Sequence, residues 1–174
     1  MDKIDAFLKE IDPRIESVEV SSKEIVFEER VRLACFNCGR YGVNHTCPPR
    51  IPDVDYKKVF FEYQHALLIW CIMEFDEKNE ANVRRESTQL IHHSLLKAEK
   101  YFWDNDNSLA TSFIGGSCKL CAQGCAKDGC RQPLLSRIPL EATGVNVVKT
   151  CLEKGLVISF PVEGKFYRVG MLLW

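Results

Sequence analysis

Apolar residues recur along the chain at helical spacing in some segments and at every second position in others. Near the start, apolar positions three and four apart predict a short amphipathic helix over residues 3–10. Alternating apolar and polar positions over residues 18–27 predict a β-hairpin with one face towards solvent. The longest helical pattern covers residues 77–104 and predicts a long helix with one apolar face.

Several other segments carry the apolar, β-branched or aromatic residues that strands prefer. Residues 66–75, ALLIWCIMEF, predict a strand in the middle of a sheet, after a helix that begins at residues 53–55. Residues 108–114 predict a further strand. Two closing strands are predicted over residues 156–160 and 166–173.

The order of these elements indicates the fold class. Short helices after Pro139 and over residues 146–154 complete the order β-β-α-β-α-β-α-β-β. This order predicts an α/β (α+β) protein, with a mixed β-sheet of about five to six strands and helices packed on it. No repeat, low-complexity stretch or linker divides the chain, so residues 1–174 are expected to form a single domain.

Composition fits one ordinary domain and excludes several classes of function. The 174 residues carry 23 Lys and Arg against 24 Asp and Glu, so a net charge of -1 gives no bulk attraction for nucleic acid or an anionic membrane. The longest apolar run ends at Glu74, well short of the roughly 20 residues of a membrane-spanning helix. The first residues, MDKIDAFLKE, lack the apolar region of a signal peptide, so a cytoplasmic location is expected.

Nine cysteines are the feature that an average domain does not explain. In a reducing compartment, clustered cysteines are metal ligands or redox groups more often than disulfides. Seven of the nine lie in two loops, residues 35–50 and 116–133, where Gly, Asn and Pro interrupt the regular patterns. Because both loops are predicted to follow strands, the sheet is expected to hold them together at one end.

The first loop reads Cys35-Phe-Asn-Cys38, then eight residues, then Cys47-Pro-Pro. Two thiolates separated by two residues in a turn can both face one point about 2.3 Å away. Gly39 and Gly42 let the backbone fold around that point with its N–H groups turned towards the anionic sulfur atoms. The spacing therefore predicts a metal-binding loop.

The second loop places four cysteines within thirteen residues, with two, three and four residues between them. They are Cys118, Cys121, Cys125 and Cys130. The spacing looks like a loosened relative of the bacterial ferredoxin run C-x2-C-x2-C-x3-C-P. Residues 118–149 carry five basic and two acidic side chains, an excess expected to lower the pKa of the thiols and to offset the charge of a bound cluster.

Taken together, the two loops, the segment CRQPLLSRIPLEATGVNV at residues 130–147 and the closing VGMLLW resemble a known family. These residues are similar to the small predicted metal-binding proteins called domain of unknown function 2284, common in anaerobic microbes. The similarity covers about residues 31–174. It implies metal or iron-sulfur binding by the seven loop cysteines, and it implies no particular reaction.

Two kinds of metal site compete for these cysteines. The C-x2-C pairs of the two loops would together make a closed zinc site of four thiolates. That site leaves three loop cysteines without a role, so we favour one or two 4Fe-4S clusters and keep zinc as the alternative. The four cysteines of the second loop would then serve mostly one centre. Cys35, Cys38 and Cys47 would hold a second centre with an open position.

The remaining cysteines and histidines are assigned from their surroundings. Cys71 and Cys151 lie among apolar residues and are interpreted as core residues. His45 lies inside the first loop and is a candidate for the eighth ligand that two clusters would need beyond the seven cysteines. The other interpretation is an exposed loop histidine or a hydrogen-bond donor to cluster sulfide. His92 and His93 are neighbours in the predicted long helix and cannot point both rings one way, so no metal role is expected.

The favoured function is an iron-sulfur protein that passes electrons to a partner enzyme. The first alternative is a metalloenzyme whose open iron, held by three cysteines, binds a small substrate or sulfide. The second is a structural zinc-binding module. No Ser-His-Asp set, phosphate loop or dinucleotide fingerprint supports a hydrolase or a nucleotide-dependent enzyme. A redox partner protein is expected, and basic loop residues would form its docking collar: Arg40, Lys119, Lys127 and Arg131.

Overall fold

The structure, a computed structural model, describes residues 2–106 and 109–174. The helices in these ranges are α1 (Asp2–Ile11), α2 (Glu29–Phe36), α3 (Tyr56–Phe61), α4 (Glu80–Asp106) and α5 (Val147–Glu153). The strands are β1 (Ile15–Val20), β2 (Ala66–Glu74), β3 (Thr111–Ile114) and β4 (Lys165–Leu173). Two short 3-10 helices cover Ser22–Glu24 and Leu140–Thr143.

The four strands form one antiparallel sheet in the order β1-β2-β4-β3. β2 and β4 are central and pair along their whole length, from Ala66 opposite Leu173 to Glu74 opposite Lys165. Both are mostly buried, as their apolar sequences predict. β3 pairs only with residues 170–173 of β4. Residues 165–169 of β4 therefore have no neighbouring strand on that side among the described residues.

Helices pack on both faces of the sheet. α1 and α4 cover one face, where Leu67 of β2 meets Leu95 of α4 in a buried cluster. α3, α5 and the second 3-10 helix cover the other, in a cluster that contains Phe60 and Met171. α4 approaches β4 closely at Gly170, because a Cβ there would lie 2.5 Å from Leu95 Cδ1. Burial of apolar side chains on both faces stabilises the fold.

The α+β class and the predicted helices are confirmed, whereas the strands are fewer than predicted. The hairpin over residues 18–27 does not form, because the Ser21 N–H donates a 2.8 Å hydrogen bond to Glu24 and Ser21 caps a 3-10 helix directly after β1. Residues 156–160 form no strand either. The sheet is therefore antiparallel with four strands, not mixed with five to six. The predicted start of β3, Ser108, lies outside the described residues.

α4 is the longest helix, with 27 residues, and it holds the segment that follows the second Cys-rich loop. Its buried Glu99 forms a salt bridge with Arg137, whose Nε donates a 2.7 Å hydrogen bond to Glu99 Oε1. His92 Nε2 lies 2.8 Å from the carbonyl oxygen of Leu135. Burial is the main cause that lowers the pKa of His92, so the ring is neutral near pH 7 and donates to that carbonyl. None of the helices in the described ranges combines the length and apolar composition needed to cross a bilayer.

Candidate metal centre

The first Cys-rich loop begins in a helix. Cys35 lies in the last turn of α2, and Cys38 follows the C-cap residue Asn37. The expectation that this loop follows a strand is wrong, because the residues after Phe27 wind into α2 instead of continuing a hairpin. The second loop leaves the sheet after β3 as predicted, at Gly115, where a Cβ would lie 2.1 Å from the carbonyl oxygen of Val169.

The two loops contact each other through polar groups of the first. Asn44 Nδ2 donates to the carbonyl oxygen of Cys118 at 3.4 Å. His45 Nε2 lies 2.7 Å from the carbonyl oxygen of Ala126. Because a carbonyl oxygen only accepts, Nε2 carries a hydrogen and donates it. The structure therefore brings the loops together as predicted, although only one of them follows a strand.

Three cysteines of the first loop line one cavity of about 430 Å³, which we call the three-Cys cavity. They are Cys35, Cys38 and Cys47. Glu141, in the second 3-10 helix, is the carboxylate among its lining residues. Both of its oxygens accept from the N–H of Gly116, at 3.0 and 3.2 Å. This contact ties the start of the second loop to the wall of the three-Cys cavity.

Four cysteines of the second loop line another cavity of about 430 Å³, the four-Cys cavity. They are Cys118, Cys121, Cys125 and Cys130, and all four are half-buried. Gln132 Nε2 lies 3.7 Å from Cys121 Sγ and donates to it. Amide donors of this kind orient and stabilise thiolate ligands.

The two cavities share a wall made of Arg40, Ser117 and Lys119. Burial is the main cause that lowers the pKa of Lys119, and the positive charges of Arg168, Arg84 and Arg40 lower it further. Neither Lys119 nor Arg40 forms an ion pair within the described residues. Cations gathered without carboxylate partners favour an anionic group in the neighbouring cavities.

Burial raises the pKa of three loop thiols. The pKa of Cys47 rises to about 11, through burial first and then through the negative charge of neighbouring thiolates such as Cys38. Burial is also the largest cause that raises the pKa of Cys35 and Cys118. The expectation that the basic excess lowers thiol pKa values is wrong for these three residues, because desolvation dominates and the one positive charge among the causes is that of Arg32, acting on Cys35. Binding a metal cation would release their protons.

The other two cysteines lie in the core, as predicted. Cys71 and Cys151 are fully buried in the clusters on opposite faces of the sheet. Burial raises the pKa of each to about 12. Neither lines the three-Cys or the four-Cys cavity. All nine cysteines are free thiols within the described residues.

The structure does not bring His45 to the cavity that lacks a fourth cysteine. His45 lines the four-Cys cavity, and its ring lies between Ala126 and Arg50. Glu141, which the sequence reasoning missed, lies in the three-Cys cavity instead. The only sequence signal for it was its place as one of two acids among the basic residues of 118–149, and no spacing rule connects it to the first loop.

A single ion and a 4Fe-4S cluster require different arrangements of the thiols. Within the described ranges, no three His, Cys, Asp or Glu side chains converge closely enough to hold one metal ion. A zinc site requires four ligands at about 2.0 to 2.3 Å from one point. In a 4Fe-4S cluster each thiolate binds a different iron, so the sulfur atoms surround a larger group. Cavities lined by four and by three thiols fit that requirement.

A comparison with known protein families gives a match over most of the chain. The model of the family described as Predicted metal-binding protein (DUF2284) matches residues 18–174, a range that contains both Cys-rich loops. No curated protein and no solved structure matches the chain.

Proposed function

The chain belongs to this family of predicted metal-binding proteins, and on that premise we propose that it binds two 4Fe-4S clusters and passes electrons to a partner protein. One observation carries the proposal: the seven loop cysteines divide, four and three, between two adjacent cavities. The two cysteines outside the loops are in the core. A protein with a single small metal ion has no use for that division.

Each group of cysteines has a distinct part in the proposal. The four-Cys cavity would hold a cluster with one thiolate for every iron: Cys118, Cys121, Cys125 and Cys130. The three-Cys cavity would hold a second cluster with one iron free of cysteine. When bound, such clusters supply one-electron oxidation and reduction. Other residues of the chain would orient the thiolates and balance the charge of the clusters. Gln132 donates to Cys121 Sγ, and Lys119 and Arg40 in the shared wall offset the negative charge.

A second candidate function is catalysis at the three-Cys cavity. The observation that favours it is Glu141, whose carboxylate lies in the same cavity as the three thiols. There it would accept a proton from a small substrate bound in the open position. Both functions leave an open iron that cyanide can bind, so a change of the EPR spectrum with cyanide does not separate them. Catalysis alone predicts that Glu141→Gln abolishes substrate turnover while the iron content and both EPR signals stay unchanged.

Metal and sulfide analysis of anaerobically purified protein tests the proposal. We expect a brown protein with similar amounts of iron and acid-labile sulfide, whose visible absorption bleaches on addition of dithionite. The variant with both Cys71→Ala and Cys151→Ala is the matched control and keeps the iron, because neither residue lines a cavity. About one zinc per chain with no sulfide would contradict the proposal and identify the structural zinc module.

Lys119→Met tests whether the shared wall acts on both centres. Removing its charge takes away on the order of 1–2 kcal/mol of attraction for the reduced, more negative clusters. We therefore expect both reduction potentials to fall by on the order of 50–100 mV in an EPR-monitored titration. Lys127→Met is the control, because Lys127 is exposed and lines neither cavity. Equal shifts in the two variants would show that the wall has no special effect.

A further inference from the structure

A third cavity, of about 230 Å³, lies at the edge of β4 beyond the point where β3 has ended. We call it the β4-edge cavity. It contains no cysteine, and it shares only Glu141 with the three-Cys cavity. Two guanidinium groups, those of Arg84 and Arg168, lie on its polar side. Its apolar side comes from α5 and from the segment 156–164, through Val147, Val148, Ile158, Phe160 and Val162.

Part of the apolar side is formed by residues 156–160, the segment that the sequence predicts as a strand. That segment pairs with no strand in the described chain, yet its alternate residues Ile158, Phe160 and Val162 all line the cavity. Phe160 is 68% exposed, so its ring is not covered by the sheet or by a helix. Ile158 packs against the core cluster that contains Phe60, so Phe160 is the lining residue of the segment that the fold leaves exposed.

The polar side centres on Arg168, in the middle of β4. Its Nη1 donates one long hydrogen bond, 3.3 Å, to the carbonyl oxygen of Gly115. Its Nε is buried and has no hydrogen-bond partner among the described residues. Arg168 is partly buried, and this burial is the main cause that lowers its pKa, whereas the charge of Glu141 raises it. A guanidinium with five donors and one bond is incompletely satisfied.

The neighbouring charges do not satisfy Arg168. The guanidinium of Arg84 stacks over the Phe166 ring at 4.4 Å, and its charge is balanced by Glu80 at 2.9 Å. Glu141 directs both oxygens at the Gly116 N–H and makes no hydrogen bond to Arg168 within the described residues, although its charge acts on Arg168 from a distance. Arg84 is balanced by Glu80, so what favours a ligand with acceptor oxygens is the set of Arg168 donors that no described residue accepts from.

We propose that the β4-edge cavity binds a small organic monocarboxylate with an apolar body. The carboxylate pairs with Arg168, because the guanidinium fork matches carboxylate geometry. The apolar body packs against Val148 and Phe160. The volume of about 230 Å³ is below the usual range for drug-sized ligands and suits one aromatic ring or a branched chain of a few carbons. This inference stands apart from the metal chemistry, since no cysteine lines the cavity.

Calorimetric titration of the full, anaerobically purified chain with benzoate tests the inference. We expect benzoate to bind in the submillimolar range, as about nine heavy atoms at moderate ligand efficiency allow. Benzamide lacks the charge and acetate lacks the apolar body, so each is expected to bind at least about tenfold more weakly. Arg168→Gln is expected to weaken benzoate binding by at least about tenfold. Arg30→Gln is the matched control, because Arg30 is exposed and lines none of these cavities.

Two results would overturn the inference: no heat of binding at millimolar benzoate, or equal affinities of the wild-type chain for benzoate and benzamide. A second variant covers the case in which Arg168→Gln disturbs the sheet. Val148→Trp fills the cavity from α5 and leaves the guanidinium in place, so benzoate binding is lost while iron and sulfide content stay unchanged. Retained binding in a folded Val148→Trp protein also counts against the site. Because iron and sulfide are measured separately, failure here is distinguishable from failure of the cluster proposal.

Discussion

Cys38→Ser removes about half of the iron and sulfide, and Cys121→Ser lowers the iron and sulfide of the other centre only. The two residues line different cavities, so each substitution takes one thiolate from one centre only. Serine has nearly the same size, but its hydroxyl stays protonated at neutral pH and is a poor ligand for iron. Cys38→Ser leaves two thiolates in its cavity whereas Cys121→Ser leaves three, so the larger loss of iron is expected from Cys38→Ser.

The comparison of the two variants is a sharper test than either alone. EPR of the dithionite-reduced proteins shows which signal each variant keeps, and the two remaining signals together reproduce the wild-type spectrum. Cys151→Ser is the control, since that thiol is buried in the core and lines neither cavity. If both loop variants lose all of their metal, the two cavities hold one shared centre and the proposal of two clusters fails.

Local spacing in the sequence predicted which cysteines lie together. Four cysteines within thirteen residues lie close together in space and line one cavity. Cys35 and Cys38, with two residues between them, line another. The buried cysteines were equally predictable, because Cys71 and Cys151 have apolar neighbours on the chain. In each case residues close in sequence decide the outcome.

Contacts between distant segments could not be predicted in this way. Glu141 meets Gly116 across 25 residues, and Arg40 meets Lys119 in the shared wall. The thiol pKa values show the same limit, because a count of charges predicts a fall whereas burial raises the pKa of Cys47 to about 11. Burial depends on which helices cover the loops, and no local pattern contains that information.

The strand predicted over residues 156–160 is missing for a related reason. Residues 156–160 carry the right alternation, but Leu156 and Ile158 pack on the core cluster that contains Phe60 and do not pair with the open edge of β4. Alternation predicts one apolar face and does not say what that face contacts. In this protein the face of Phe160 lines the β4-edge cavity, and so a wrong strand prediction marks a candidate binding site.

Glu99→Ala lowers the free energy of unfolding by about 3–5 kcal/mol. The Glu99 side chain is only 2% exposed, its partner Arg137 is 16% exposed, and Ser112 Oγ donates a 2.6 Å hydrogen bond to the same carboxylate. Removing the carboxylate leaves a largely buried guanidinium without its counter-charge, and the desolvation of that charge is no longer offset. Urea unfolding followed by circular dichroism measures the change.

Asp104→Ala on the same helix is the matched control. The Lys100–Asp104 pair is exposed, 72% and 56%, so its loss changes stability by less than about 0.5 kcal/mol. Replacing Glu99 and Arg137 together by Met recovers much of the loss, because no unpaired charge remains. Equal effects of Glu99→Ala and Asp104→Ala would show that burial adds nothing to the pair. Arg137 also anchors the segment after Cys130 to α4. We therefore expect Glu99→Ala to lower the iron content of the four-Cys centre as well, because the buried ion pair holds this segment in position.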